Sequence, residues 1–186
     1  MLAVPASRPP LVVTQRLALR ELVIADADAV AKLAGDRRVA EHLIQVPSPY
    51  PVTLARRWVS SRIAWWAADH GVTLAVAYRE APSRLIGTVS LRVFARDRRG
   101  ELGYWLAADE WGHGIATEAA TALVELGFTE MTLARIYAQV LVGNQASYRV
   151  LDKLGFVLEG VKRQHVWKAG RLHDVVCYGL LRDEWR

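Results

Sequence analysis

From Val72 to Ala107 the chain reads with period two in three successive runs, and the connections are too short for anything but an antiparallel return. Val72 to Tyr78 is the first run, and the Pro82-Ser83 turn leads into Leu85 to Phe94. The polar turn Arg96 to Gly100 then leads into Glu101 to Ala107. Such a meander must bury a face, and its flanks supply the cover. Upstream, Arg16 to Val23 reads as a strand with Leu17 and Leu19 alternating against Ala18 and Arg20. Asp26 and Asp28 are candidate caps for a helix through Leu33. Val39 to Tyr50, with Pro51 just beyond, is a proline-rich loop between helical pieces. Thr53 is the expected N-cap of a helix over Leu54 to Asp69, which carries Trp58, Ile63, Trp65 and Trp66. At helical spacing these indoles read first as packing.

Downstream, an Ala-rich helix ends near Gly127-Phe128 and a strand covers Ala134 to Val142. A short helix spans Asn144 to Leu154, stopped by Gly155-Phe156. Strands near Val161 to Trp167 and Asp174 to Leu181 are joined by the turn Lys168-Ala169-Gly170-Arg171. The class is α+β, with helices around a mainly antiparallel sheet. Residues 1–13 read as a loose tail and 14–186 as one domain, since 186 residues suffice for one core and no repeat or linker interrupts them.

Composition excludes several classes. The apolar runs fall short of the roughly 20 residues that a membrane span needs. The first ten residues lack the pattern of a secretory signal. Cys177 is the only cysteine, which rules out an internal disulfide, argues against a Cys-built zinc site and suits a reducing cytoplasm. No histidine pair has metal-site spacing, so no metal is expected. His42, His165 and His173 are candidates for the rim of an acceptor site. The net charge of +5, from 24 Lys plus Arg against 19 acidic residues, suits an anionic partner such as a phosphorylated cofactor or a nucleic acid, and is equally compatible with none.

The most informative segment for function is LAADEWGHGIATEAA, Leu106 to Ala120, where a strand end passes through a glycine-rich turn into a helix. Unpaired N–H groups at such a helix start form an anion site, and glycines let a diphosphate approach the backbone. The segment is not a Walker loop, which ends Gly-Lys-Ser or Gly-Lys-Thr. Nor is it the dinucleotide fingerprint, because Thr117 stands where the third glycine belongs. Alone, the turn is also compatible with a plain glycine turn before a helix.

WGHGIATEA resembles the pyrophosphate loop of the GNAT superfamily of N-acetyltransferases, and NQASYRVLDKLGFVLEG, Asn144 to Gly160, resembles its second hallmark. TQRLALRELVIADADAVAKL, GELGYWLAADEWG and DVVCYGLLRDEW are similar to the ribosomal-protein N-terminal acetyltransferase branch, so the resemblance runs from about residue 14 to 186. It implies the GNAT fold, a mixed, mostly antiparallel sheet splayed near its middle strands and flanked by helices, with acetyl-CoA in the splay. By the same resemblance Gly112, His113, Gly114, Ile115, Ala116 and Thr117 form the pyrophosphate turn. Leu106 and Ala107 pair with the pantetheine arm through their backbone, and Asn144 and Ser147 lie beside the coenzyme near its thioester. A homodimer is compatible with the resemblance. Two departures stand out. Trp111 occupies the usual Gln or Arg position at the loop's start, and Leu151 occupies the position of the tyrosine that often protonates the leaving thiolate. Tyr148 is nearby, on another helical face.

Acetyl transfer to an amine requires a neutral nitrogen, a stabilised oxyanion and a proton or hydrogen bond for the departing thiolate. A peptide α-amine, with a reference pKa of about 7.7 to 8.0, needs only a modest base, whereas a lysine amine near 10.4 needs more. Glu101 is the candidate base. By alternation it shares a strand face with Gly103 and Trp105, and the resemblance places a carboxylate on this strand. The alternative is a solvated Glu answering Arg98 or Arg99. Ser147 is the candidate acid in place of the missing tyrosine, or else a helix-start serine bonding its own backbone. Asn144 serves as N-cap in either case. Cys177, in the apolar DVVCYGLL, reads as core. The expected reaction is direct attack in a ternary complex on a primary amine, first of all a protein or peptide N-terminal α-amine. The alternatives are a small amine such as an aminoglycoside, polyamine or amino acid, or a non-catalytic acyl-CoA-binding regulator. A nucleic-acid binder built on Arg92, Arg96, Arg98 and Arg99 leaves the motifs unexplained, so neither nucleic acid nor membrane is expected as a partner.

Overall fold

A computed structural model describes residues 11–185. Eight strands form one sheet: β1 (Val12–Val13), β2 (Leu17–Glu21), β3 (Gly71–Tyr78), β4 (Gly87–Phe94), β5 (Arg99–Leu106), β6 (Arg135–Leu141), β7 (Val157–Lys168) and β8 (Arg171–Leu181). Their order is β1-β2-β3-β4-β5-β6-β8-β7. Every pairing is antiparallel except β5–β6. The helices are α1 (Ala27–Ala34), α2 (Arg37–Ala40), α3 (Val52–Ala67), α4 (Ile115–Thr129) and α5 (Gln145–Lys153). This is the α+β, mostly antiparallel architecture expected of the sequence.

The sheet has a core on each face. On one side α4 lays down Ile115, Ala119, Ala120, Leu123, Val124, Gly127 and Phe128, a stripe of helical period, against Leu91, Leu102, Leu106 and Ile136. Gly127 permits the close approach. A Cβ there would stand 2.8 Å from Leu91 Cδ2 and 2.9 Å from Ile136 Cδ1. On the other side α1 and α3 pack Ala27, Val30, Ala55 and Val59 against Leu22, Ala75 and Leu85, with Trp58 and Trp105 at the margin.

Several local expectations change. Val12 and Val13, read as tail, pair with Leu19 and Ala18, while residues 1–10 of that tail lie outside the described residues. Asp26 holds the N-cap position of α1 but its side chain makes no cap bond to that helix. It is buried, pairs with Arg20 at 2.7 and 2.8 Å and accepts the Val23 N–H at 2.9 Å. Thr53 is not the N-cap of α3, because the helix starts two residues earlier, at Val52, with Pro51 at the cap. Pro has no N–H to lose there and its fixed φ suits a helix start. Cys177 is half-buried rather than core, opposite Gln139 in the β6–β8 register.

Two features of the sheet position the site. The β5–β6 pairing runs only from Arg99–Arg135 to Leu102–Ala138, beyond which the strands part and form a fork. The turn after β5 then delivers α4 across one face of that fork.

Candidate active site

Three parts meet along β5. The first is the turn into α4. Gly112 and Gly114 take φ of +81° and +76°, and Gly114 is the N-cap of α4. The first helical donor to find a carbonyl is Glu118, whose N–H reaches Gly114 O at 3.0 Å. Among the described residues, no acceptor takes an N–H from Gly112, His113, Gly114, Ile115, Ala116 or Thr117. Six consecutive donors at the positive end of a 15-residue helix form an anion cradle. The Gly112 side is open, with nothing within 4 Å of where a Cβ would be.

The sequence reading found no cationic side chain for this turn, and Arg16 supplies one. Its Nη1 donates to His113 O at 2.9 Å, its Nε to Glu118 Oε2 at 2.7 Å and its backbone N–H to Glu118 Oε1 at 2.8 Å. Its Nη2 lies 3.6 Å from the position of a Cβ on Gly114. Burial pushes the Glu118 carboxyl up, but the Thr14 and Arg16 bonds outweigh it and hold the group below its ordinary value. Trp111, in the place of the usual clamp, donates its indole N–H to Leu106 O at 3.1 Å and pins the turn to the strand.

The second part is the open edge of β5. Ala107 N–H donates to Ile86 O at 2.8 Å, which sets the ladder phase. Gly103 and Trp105 exchange bonds with β4, while Tyr104 and Leu106 turn their backbone groups toward the parted β6. Leu106 therefore offers its N–H to the fork, together with both backbone groups of Tyr104. Ala107 does not fit the pairing role expected of it. Its N–H is spent on Ile86 and its carbonyl accepts the Glu110 N–H at 3.0 Å.

The third part is the polar side chains of the fork. Ser147 Oγ stands 2.7 Å from the Tyr104 hydroxyl, so the serine does not turn back on its own backbone. Its N–H goes to Asn144 Oδ1 at 3.1 Å, making Asn144 the N-cap of α5. Burial pushes the Tyr104 phenol up to about 12 even against the Ser147 bond, so it stays protonated across the neutral range. The sequence reading missed Tyr104. The alternation that puts Glu101 on one face puts Tyr104 on the other, under α5. Tyr148 points elsewhere, accepting the Gly143 N–H at 3.0 Å and packing on Tyr178, and Leu151 is fully buried.

Glu101 sits where β5 and β6 part, in register with Tyr137. It accepts Tyr137 Oη at 3.2 Å and Gln139 Nε2 at 3.3 Å. Arg98 and Arg99 do not claim it. Arg98 donates to Thr132 O and Arg99 pairs with Asp97 at 3.1 Å. Burial, then the charge of Glu101, pushes the Tyr137 phenol up to about 12, so this donor also stays protonated.

His113 is exposed, and His173 Nε2 lies 3.2 Å from Lys168 O in the last hairpin. Among the described residues no group of three or more metal-binding side chains comes together, and no helix is long and apolar enough to cross a membrane.

Residues 16–157 match the acetyltransferase (GNAT) domain family. The uncharacterized N-acetyltransferase YoaA of Bacillus subtilis is 30% identical over 174 residues, 93% of this chain and 97% of YoaA. The putative ribosomal N-acetyltransferase YdaF of Bacillus subtilis is 30% identical over 177 residues, 93% of this chain and 95% of YdaF. A solved structure of a probable acetyltransferase superposes with a TM-score of 0.82 at 29% identity, covering 92% of this chain and 96% of that one.

Proposed function

Because the chain belongs to the GNAT family, and is on that ground an acetyl-CoA-dependent N-acetyltransferase, we propose that its acceptor is the N-terminal α-amine of a protein or peptide. The observation that carries this reading is the fork in β5. One unpaired strand edge runs from the anion cradle to a carboxylate held by two neutral donors. In this reading the N–H groups of Gly112 to Thr117, with Arg16 beside them, hold the diphosphate. Tyr104 and Leu106 pair with the pantetheine arm as a strand would. The acetyl carbonyl then lies near the parting of β5 and β6.

The chemistry follows from the side chains there. Glu101 takes a proton from the incoming amine, directly or through a water. An α-amine, partly neutral at pH 7, asks less of that carboxylate than a lysine would. Ser147 donates a hydrogen bond from its hydroxyl to the departing sulfur while Tyr104 donates to Ser147 Oγ, so the thiolate leaves against two aligned hydroxyls. Attack is direct, within a ternary complex, with no acyl-enzyme. YdaF, named as a putative ribosomal N-acetyltransferase, supports a protein terminus as acceptor.

The test is thiol release from acetyl-CoA with N-terminal peptides, aminoglycosides and polyamines, alongside calorimetric titration with coenzyme A. Turnover confined to peptides supports the reading. Turnover confined to small amines, or binding with no turnover on any amine, overturns it.

A further inference from the structure

The face of β5 that carries Glu101 also carries a group of side chains with no part in the steps above. Arg62 of α3 lies 3.3 Å from the centre of the Trp65 ring and 5.7 Å from that of Trp58. Arg92 of β4 lies 5.7 Å from Trp65 and 5.0 Å from Phe94. Arg92 is directly opposite Glu101 in the β4–β5 register, so the two share a sheet face. Arg99 completes the row, 4.5 Å from Phe94 and 5.6 Å from Tyr137.

The charges do not balance. Arg99 has Asp97. Glu101 spends its oxygens on Tyr137 and Gln139. Among the described residues no carboxylate lies within ion-pair distance of Arg62 or Arg92. Among the described residues the only side-chain hydrogen bond of Arg62 runs from Nε to Ser61 Oγ at 3.2 Å, which leaves both terminal nitrogens of its fork without a partner there. Burial, and next the charge of Arg92, holds the Arg62 guanidinium down to about 10. Tyr50 stands on the same side, its phenol pushed up by burial against the pull of Arg62. Two neighbouring cations, one of them half-buried, repel each other, and a bound anion relieves that cost. A guanidinium fixed on an indole face keeps its donors in one plane, the geometry that receives a carboxylate with two bonds.

We infer that the acceptor carries a carboxylate close to its amine, which Arg62 and Arg92 receive over the Trp65 ring while the amine reaches Glu101. This rests on the peptide reading above and narrows it to N-termini with Asp or Glu within the first few positions. The amine then arrives on a group already bound by the protein, and the two arginines select against basic termini by charge.

The experiment compares initial rates on matched peptides with Asp or Glu, or with Asn or Gln, at positions two and three. It uses the wild type, Arg62→Met, Arg92→Met and Arg62→Lys. The acidic peptides should show a KM about tenfold below their amide partners. Arg62→Met and Arg92→Met should draw the two KM values together, and Arg62→Lys should retain part of the gap. A merely structural role would depress both peptides alike and leave their ratio intact. If Arg62→Met fails to fold, Arg92→Met carries the test from an exposed position. Equal rates on acidic and amide peptides in the wild type overturn this inference alone. So does a preference that survives both Met variants. No turnover on any peptide, with coenzyme A still bound, sinks the peptide reading and this inference with it.

Discussion

The two ends of the fork recognise their ligands by different means. At the cradle the work falls to the backbone, with six N–H groups, two glycines at positive φ and one supporting arginine. At the Glu101 end it falls to side chains from α3, β4, β5 and β6, assembled around Trp65, Phe94 and Tyr137. A backbone site depends little on side-chain identity and suits a cofactor that never changes. A side-chain site can be rewritten one residue at a time and suits an acceptor that differs among relatives of the same fold.

On that division, substitutions at the two ends should separate affinity for coenzyme from turnover. The largest effect belongs to Gly114→Glu. It forces a side chain onto a φ of +76° and puts a carboxylate among the phosphate donors. Coenzyme A affinity by calorimetry should fall at least about 100-fold, and unchanged affinity would break the cradle assignment. Glu101→Gln should come next, with kcat/KM down about 100-fold and coenzyme affinity kept. The loss should be greatest at low pH, where the amine is protonated, and should shrink as pH passes the amine's own pKa. Wild-type rates at every pH would remove Glu101 as base. Tyr104→Phe and Ser147→Ala should each lower kcat about tenfold with little change in the Kd for coenzyme A. The reverse pattern would make the hydroxyl pair a binding element and blur the division. The smallest effect is Arg16→Ala, a weakening of coenzyme affinity of about threefold to tenfold that fades at high salt. The same arginine helps hold the Glu118 carboxyl low. A group lowered in the fold contributes stability above its unfolded pKa and loses it as pH falls through the folded value. Arg16→Ala should therefore melt lower than wild type near neutrality, with the gap closing in acid.

The backbone end was far more legible in the sequence than the side-chain end. WGHGIATEA is contiguous, so residue type and spacing were enough to locate the turn and the helix start. Glu101 and Ser147 were nameable because each lies in a recognisable stretch. Tyr104 was visible only as a strand residue. The missing tyrosine at Leu151 was a signal to look for another hydroxyl, and the alternation of β5 would have pointed to it. Arg16 gave no signal, since its partners His113 and Glu118 lie 97 and 102 residues away. The arginine row was legible as basic residues and misleading as a stripe. The fold puts Arg92 and Arg99 on aromatic rings and turns Arg98 to a carbonyl. Local differences have local causes. The buried Asp26 is taken by the half-buried Arg20 rather than by the start of α1, and the cap of α3 passes from Thr53 to Pro51.

The fork has a consequence for how long the protein lasts. Among the described residues no strand pairs with the β6 side of β5 beyond Leu102, and a ligand that takes that place binds the folded chain and not the unfolded one. At a free concentration one hundred times its Kd, such a ligand adds about 2.7 kcal/mol to the unfolding free energy. For a domain whose whole margin is roughly 5 to 15 kcal/mol, that is a large share. The supply of coenzyme would then set the enzyme's abundance as well as its rate, and a starved cell would clear the chain faster through its proteases.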